Sequence, residues 1–201
     1  MNNYEKILDI ANKNNGYISV HEVWKNGIDH KFLYDLVKRG ELKKAARGLY
    51  LIKSEFYDEY YEIQSTSLRA VFSHATALYL HGLSDRVPVV LDVTVPHFYS
   101  GSLQTNEKIK LHYVKDDKKS RIWPVGLQMM KSPLNNDIRV YSVERTICDI
   151  VKNKNKVDPE VFVKALQRYA NRKNKDTVGL IKIAKLLKIE DKIREYMEIL
   201  S

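Results

Sequence analysis

The chain has 201 residues, with 34 Lys and Arg against 25 Asp and Glu, a formal net charge of +9 at pH 7. That length suits one large domain or two small ones, and 44% hydrophobic with 29% charged residues excludes a globally disordered chain. The longest apolar runs, Val87 to Leu91 and the lysine-broken Leu180 to Leu187, fall far short of the ~18–20 residues of a membrane span, so no membrane is expected.

No apolar stretch of signal-peptide type follows Met1, and the single Cys148 has no internal disulfide partner, so the expected compartment is the reducing cytoplasm. The charge is unevenly spread. Residues 1–53 hold 10 basic and 6 acidic side chains, net +4. Residues 54–150 are at −1, and residues 151–201, with 13 against 7, are at +6. Two basic regions flanking a neutral middle imply two surfaces with anionic partners.

Tyr4 to Asn14 has helical spacing, with Ile7, Leu8 and Ala11 on one side and Gly16 as its stop. After a short extended Tyr17-Ile18, Ser19 and Glu22 form a capping box that opens a short helix, Val20 to Lys25. Asn26-Gly27 ends it, and Asp29 is the expected cap of a third helix running to Lys38 or Arg39 and closing on Gly40. Phe32, Leu33, Leu36 and Val37 form its inner face. Leu42 to Ala46 and Leu49 to Ile52 flank Arg47-Gly48, a hairpin with a Gly turn.

This order is that of a winged helix-turn-helix, whose last helix enters the major groove while the wing touches phosphate or the minor groove. The candidate DNA-binding residues are His30, Lys31, Tyr34, Lys38 and Arg39 of the third helix and Lys43, Lys44 and Arg47 of the wing. Lys and Arg suit phosphates; polar and aromatic side chains suit base edges; Asp35 suits a cytosine amino group. The competing reading is a small helical domain whose solvated faces are simply basic.

Lys53 to Phe56 reads as a hinge, dividing a DNA-binding domain, 1–53, from a C-terminal domain, 54–201. Asp58 to Leu68 reads as a helix, and Ser73 caps another, HATALYLHGL, that stops at Gly82. A turn at Asp85 to Pro88 leads to strands Leu91–Val95 and Ile109–Val114, with further strands near residues 126–130 and 138–141. Ser142 then caps a helix, which makes this region mixed α+β.

His74 and His81 are two helical turns apart, ~10 Å, too far to chelate one metal ion, and read as helix-surface or core-edge side chains. Cys148, between Ile147 and Ile150, reads as a buried structural thiol. Glu144, Arg145 and Asp149 read as charges that lock a helix to its neighbours. Asp116-Asp117-Lys118-Lys119 has the residue types of a metal-dependent nuclease, but no second acidic motif stands on a neighbouring strand. With no Gly-rich phosphate loop, zinc ligand cluster or Gly-x-Ser-x-Gly elbow, neither a cofactor nor an enzyme is expected.

The chain ends in helices. Asp158 caps the first, with Pro159 at its first position, and it runs to about Asn171. Asp176 or Thr177 starts the next, and Asp191 the last. Lys164, Arg168 and Arg172 form a row at i, i+4 and i+8. Like charges at that spacing are mildly destabilising, so the row points to a functional surface, extended by Lys182 and Lys185.

Four stretches, LVKRGELKKAARGLYLI, FSHATALYLHGLSDRVP, VTVP and YSVERTICDIV, resemble in order the AbiEi antitoxins of bacterial abortive-infection, type IV toxin–antitoxin modules. The resemblance covers nearly the whole chain. It implies an N-terminal winged helix that binds inverted repeats in its own promoter and represses it, followed by a larger domain that supplies antitoxicity. By position, the DNA-contacting helix and wing fall on Asp29–Arg39 and Leu42–Ile52. The resemblance implies as counterpart a nucleotidyltransferase-like toxin with which no stable complex forms, and a protein that meets DNA as a dimer or as monomers that interact once bound. The alternatives are a plain transcriptional regulator, or a nuclease with a DNA-targeting head.

Overall fold

The computed structural model describes residues 2–116 and 121–200. Among these, the chain is mixed α+β, with nine α-helices and two sheets. It divides into two compact units, Met1–Leu68 with Lys131–Ile138, and Arg69–Met130 with Arg139–Ser201.

The first unit contains α1 (Asn3–Lys13), β1 (Tyr17–Ser19), α2 (Val20–Lys25), α3 (Lys31–Lys38), β2 (Leu42–Ala46), β3 (Leu49–Ile52) and α4 (Glu59–Ser65). Two capping boxes fix its start: Asn2 with Glu5 on α1, and Ser19 with Glu22 on α2. The strands form an antiparallel sheet in the order β1-β3-β2, with Tyr17 opposite Leu51 and Leu42 opposite Ile52. Ile7, Ala11, Val23, Leu33 and Leu36 are buried between the helices and one face of this sheet. Each large aliphatic side chain so buried contributes roughly 1.5–3 kcal/mol. Gly48 holds φ +73° in the hairpin turn, a conformation open to glycine at little cost.

Two boundaries differ from the sequence reading. The α3 cap position is His30, because Asp29 turns its carboxylate onto the Lys31 backbone N–H at 2.9 Å, one residue ahead of the helix. α4 ends at Ser65, short of the expected Leu68.

Asp58, buried in the first unit, caps α4 and accepts hydrogen bonds from Ser132 Oγ and, at 2.8 Å, from Asn136 Nδ2. Its backbone N–H donates to the Tyr17 hydroxyl at 2.7 Å, which in turn donates to Glu62. One carboxylate thereby joins α4 to residues 131–138.

In the second unit lie β4 (Val71–Phe72), α5 (His74–Leu80), β5 (Leu91–Pro96) and β6 (Ile109–Val114), then the hairpin strands β7 (Leu127–Lys131) and β8 (Asp137–Tyr141), whose tip counts with the first unit. The helices α6 (Val143–Lys152), α7 (Pro159–Ala170), α8 (Thr177–Leu186) and α9 (Glu190–Ile199) follow. The sheet order is β6-β5-β4-β8-β7, with β5 parallel to β6 and β4 parallel to β8. Ser142, Asp158 and Asp176 cap their helices through side-chain oxygens, while α9 starts at Glu190, one residue before the expected Asp191.

α6 is the axis of this unit and packs against α5, α7, α8 and α9. Its Arg145 is fully buried. The guanidinium donates from Nε to Asp149 at 3.0 Å, donates from one terminal nitrogen to the carbonyls of Ile122 and Val125, and lies over the Tyr141 ring at 4.3 Å. A Cβ at Gly126 would come within 2.6 Å of Arg145 Cβ, so glycine is required there. The expectation that Arg145 and Asp149 act structurally agrees with this geometry. Cys148 beside them is buried, and burial pushes its thiol up to about 12, which suppresses thiolate chemistry.

Removing one partner of a buried ion pair leaves the other charge uncompensated. Arg145→Ala should lower unfolding free energy by about 3–5 kcal/mol in urea denaturation. The paired Arg145→Met/Asp149→Leu variant should recover most of that loss.

Candidate nucleic-acid interface

α2 and α3 meet through Asn26-Gly27-Ile28, with Gly27 at φ +70° and the Ile28 N–H donating to the Val23 carbonyl at 3.0 Å. The turn buries Ile28, Leu33 and Leu36, and so presents the opposite side of α3 to solvent. Lys31, Tyr34 and Lys38 stand there at i, i+3 and i+7, all exposed, with His30 at the cap position. Lys31 lies 3.7 Å from Asp29, an exposed pair that leaves its charge available to an anion. The Asp29 carboxyl is held below the usual carboxylate range, chiefly by the Lys31 backbone N–H and then by the nearby Lys31 and His30 side chains.

An aromatic series runs along this face. Trp24 meets His30 edge-on at 6.0 Å, His30 meets Tyr34 at 5.8 Å, and Tyr34 meets Tyr50 at 6.4 Å. Trp24 is 61% exposed, and sequence reasoning did not single it out. The signal was available: Val20 and Val23 supply the inner face of α2, so an added Trp in a six-residue helix is surplus to the core.

Not all the residues expected on DNA share this face. Arg39 stacks on the Tyr4 ring at 4.0 Å, and Asp35 accepts from the Tyr4 hydroxyl at 3.2 Å, so both turn toward α1. Asp35 is thereby engaged within the protein rather than standing free for a cytosine amino group. The hairpin also divides its lysines. Lys44, opposite Tyr50, is exposed on the helix side. Lys43 points the other way, donating to the Glu55 carbonyl at 2.6 Å and lying 4.3 Å from the Tyr57 ring. Arg47 is exposed at the hairpin turn.

In the second unit, the row Lys164, Arg168 and Arg172 is partnered at every position. Lys164 pairs with Glu160 at 2.6 Å, Arg168 forms a fork with Asp85, and Arg172 donates to the His81 carbonyl at 3.3 Å. The inference that the row brings no local gain is therefore corrected: Arg168 and Arg172 hold the segment that follows α5. Lys185 lies 3.8 Å from Glu190, and Lys182 is exposed. Asp116 forms an isolated antiparallel β-bridge with Arg121 through the backbone, while Asp117, Lys118 and Lys119 lie outside the described residues.

His81 donates to the Tyr141 carbonyl at 2.7 Å at the edge of the core. His74 is buried more deeply. Its ring stacks on His112 at 3.7 Å and 14°. Its Nδ1 is 3.0 Å from Ser73 Oγ, and its Nε2 accepts from Asn153 Nδ2 at 3.3 Å. Burial, followed by the neighbouring His112, Lys110, Arg145 and Lys156 side chains, drives its pKa well below the ordinary histidine value, so it stays neutral. Stability from such a group is present above the unfolded-state value near 6.5 and is lost as pH falls below it, because only the unfolded chain takes up the proton. His74→Gln should flatten the fall in Tm between about pH 6.5 and pH 5, measured by thermal unfolding.

No helix among the described residues is long and apolar enough to cross a membrane. No curated protein matches the sequence. Among solved structures, the crystal structure of the RV2827C protein from Mycobacterium tuberculosis resembles the chain with a TM-score of 0.61, across 98% of this chain and 78% of that one. At 9% identity that likeness is one of fold alone. The family model described as transcriptional regulator, AbiEi antitoxin, matches residues 5–53, so the stretch that builds the helix pair and its hairpin carries the signature of the AbiEi antitoxins that the sequence resembles.

Proposed function

We propose that residues 1–53 are a winged helix-turn-helix that binds inverted repeats in the chain's own promoter, and that residues 54–201 supply antitoxicity in a type IV toxin–antitoxin module. The observation that carries the first part is the exposed face of α3, where Lys31, Tyr34 and Lys38 share one stripe with His30 beside them. Lys44 and Arg47 extend the positive charge along the hairpin, and the family match covers the same residues. In this reading α3 enters the major groove, the lysines neutralise phosphates, and Tyr34 and His30 meet base edges. Arg39 and Lys43 act from behind, holding α1 and the segment after β3 in place.

A Lys31→Ala/Lys38→Ala/Arg47→Ala variant removes three phosphate contacts. In promoter gel shifts its affinity should fall by at least about tenfold, and the slope of log K against log salt should shrink by roughly 3. Undiminished retardation would sink the assignment. Lys43→Ala should act through stability, with an unchanged salt slope once folded.

The second part rests on the +6 charge of residues 151–201. Its surface comprises Lys164, Arg168, Arg172, Lys182 and Lys185, and its functional counterpart is a nucleotidyltransferase-like toxin in the same cytoplasm, without a stable complex. Because Arg168 and Arg172 also serve the fold, Lys182→Glu/Lys185→Glu is the cleaner probe. Rescue of toxin-expressing cells should be lost while promoter binding persists. Full rescue with an unchanged circular dichroism spectrum would place antitoxicity elsewhere.

A further inference from the structure

The second unit contains a cavity of about 200 Å³. Its floor is the polar face of two parallel strands, where Asp92 lies opposite Lys110 and Thr94 opposite His112. His112 donates from Nε2 to Asp92 at 2.6 Å. The Ser73 hydroxyl that holds His74 is itself bonded by Thr94 at 2.8 Å. Both imidazoles are therefore oriented by protein groups alone. His74 also sits at φ +46°, a left-handed conformation that costs a non-glycine residue of order 1 kcal/mol. Hydrophobic packing gives no reason for that strain, whereas holding a ring against a pocket does.

The charges around the cavity do not cancel. Arg86 is paired with Asp158 at 3.1 Å and Glu160 at 3.6 Å, and Asp92 accepts from His112 at 2.6 Å; in the lining itself Arg86, Lys110 and Lys156 outnumber the carboxylates Asp92 and Asp158 by one. Lys110 and Lys156 remain at the wall, exposed and without a carboxylate partner among the described residues. Two ammonium groups without carboxylate partners, in a lining with one surplus positive charge, suit an anionic group such as a phosphate monoester. Ala75, Val157 and Val161 supply an apolar wall for a short organic portion. The volume admits a small molecule and excludes a folded polymer. We infer that this cavity binds a small phosphate monoester, with Lys110 and Lys156 on the phosphate and the aliphatic wall on its organic end. The inference is independent of DNA binding by the first unit.

The full chain should be titrated with phenyl phosphate while its amide resonances are followed by NMR, with inorganic phosphate and phenol as comparisons. Saturable shifts should be confined to the neighbourhood of His74, Asp92, Lys110, His112 and Asn153 to Val157, with phenyl phosphate binding more tightly than inorganic phosphate and phenol not binding. The exposed pair Lys110→Ala/Lys156→Ala, which leaves the core untouched, should raise Kd at least about tenfold. Lys173→Ala, away from the cavity lining, should leave Kd unchanged. Absence of saturable shifts, equal binding of phenol, or an unaltered Kd in the double variant would overturn the inference.

Discussion

A fully buried guanidinium must be given partners by the protein, because it has no water to turn to. Arg145 meets that demand by drawing in Asp149 from its own helix and the carbonyls of Ile122 and Val125 from the segment before β7. The demand organises the second unit. It sets the face that α6 turns toward the segment before β7, forces glycine at position 126, and leaves α6 as the axis on which the remaining helices pack. Among the described residues one terminal nitrogen of Arg145 has no partner, so the demand is met only in part, and this arrangement is a constraint on specificity more than a source of stability.

α6 also links that constraint to the histidine pair. Asn153, its C-cap, donates to the Asp149 carbonyl and to His74 Nε2. The turn that closes the ion-pair helix thus fixes the tautomer of a buried imidazole: Nε2 accepts, so Nδ1 carries the hydrogen and donates to Ser73. The cavity beside this pair inherits its rigidity. The preorganisation needed for a ligand site comes from helix capping and from strand register, neither of which depends on a ligand.

The first unit follows a different logic. Its core is mostly aliphatic, with Tyr17 and Tyr50 buried in it, and its polar chemistry is pushed outward by the amphipathic pattern of α3. Polar groups that do turn inward act as ties. Asp58 holds residues 131–138 and the start of α4, and the Tyr17 hydroxyl joins both to β1. The exposed aromatic series from Trp24 to Tyr34 is what remains after every core requirement of the helix pair has been met.

Much of this was legible in the sequence. The capping residues Ser19, Ser142, Asp158 and Asp176, the glycine stops and the α3 inner face follow from local hydrogen bonding and 3.6-residue periodicity, which depend on near neighbours alone. The stripe Lys31, Tyr34 and Lys38 follows from the same periodicity. The two-residue β4 carries no pattern to read, since Val71 and Phe72 are defined by partners on β5 and β8. The partners of Arg168 and Arg172 come from residues 81–85, far away in the chain, so a row that looks repulsive along one helix is compensated in space. Likewise His74 and His112 are ordinary histidines in the sequence, and only the parallel register of β5 with β6 beneath α5 stacks their rings. Local chemistry determined the elements and the face of α3. Long-range packing decided which charges are spent within the protein and which are left for a partner.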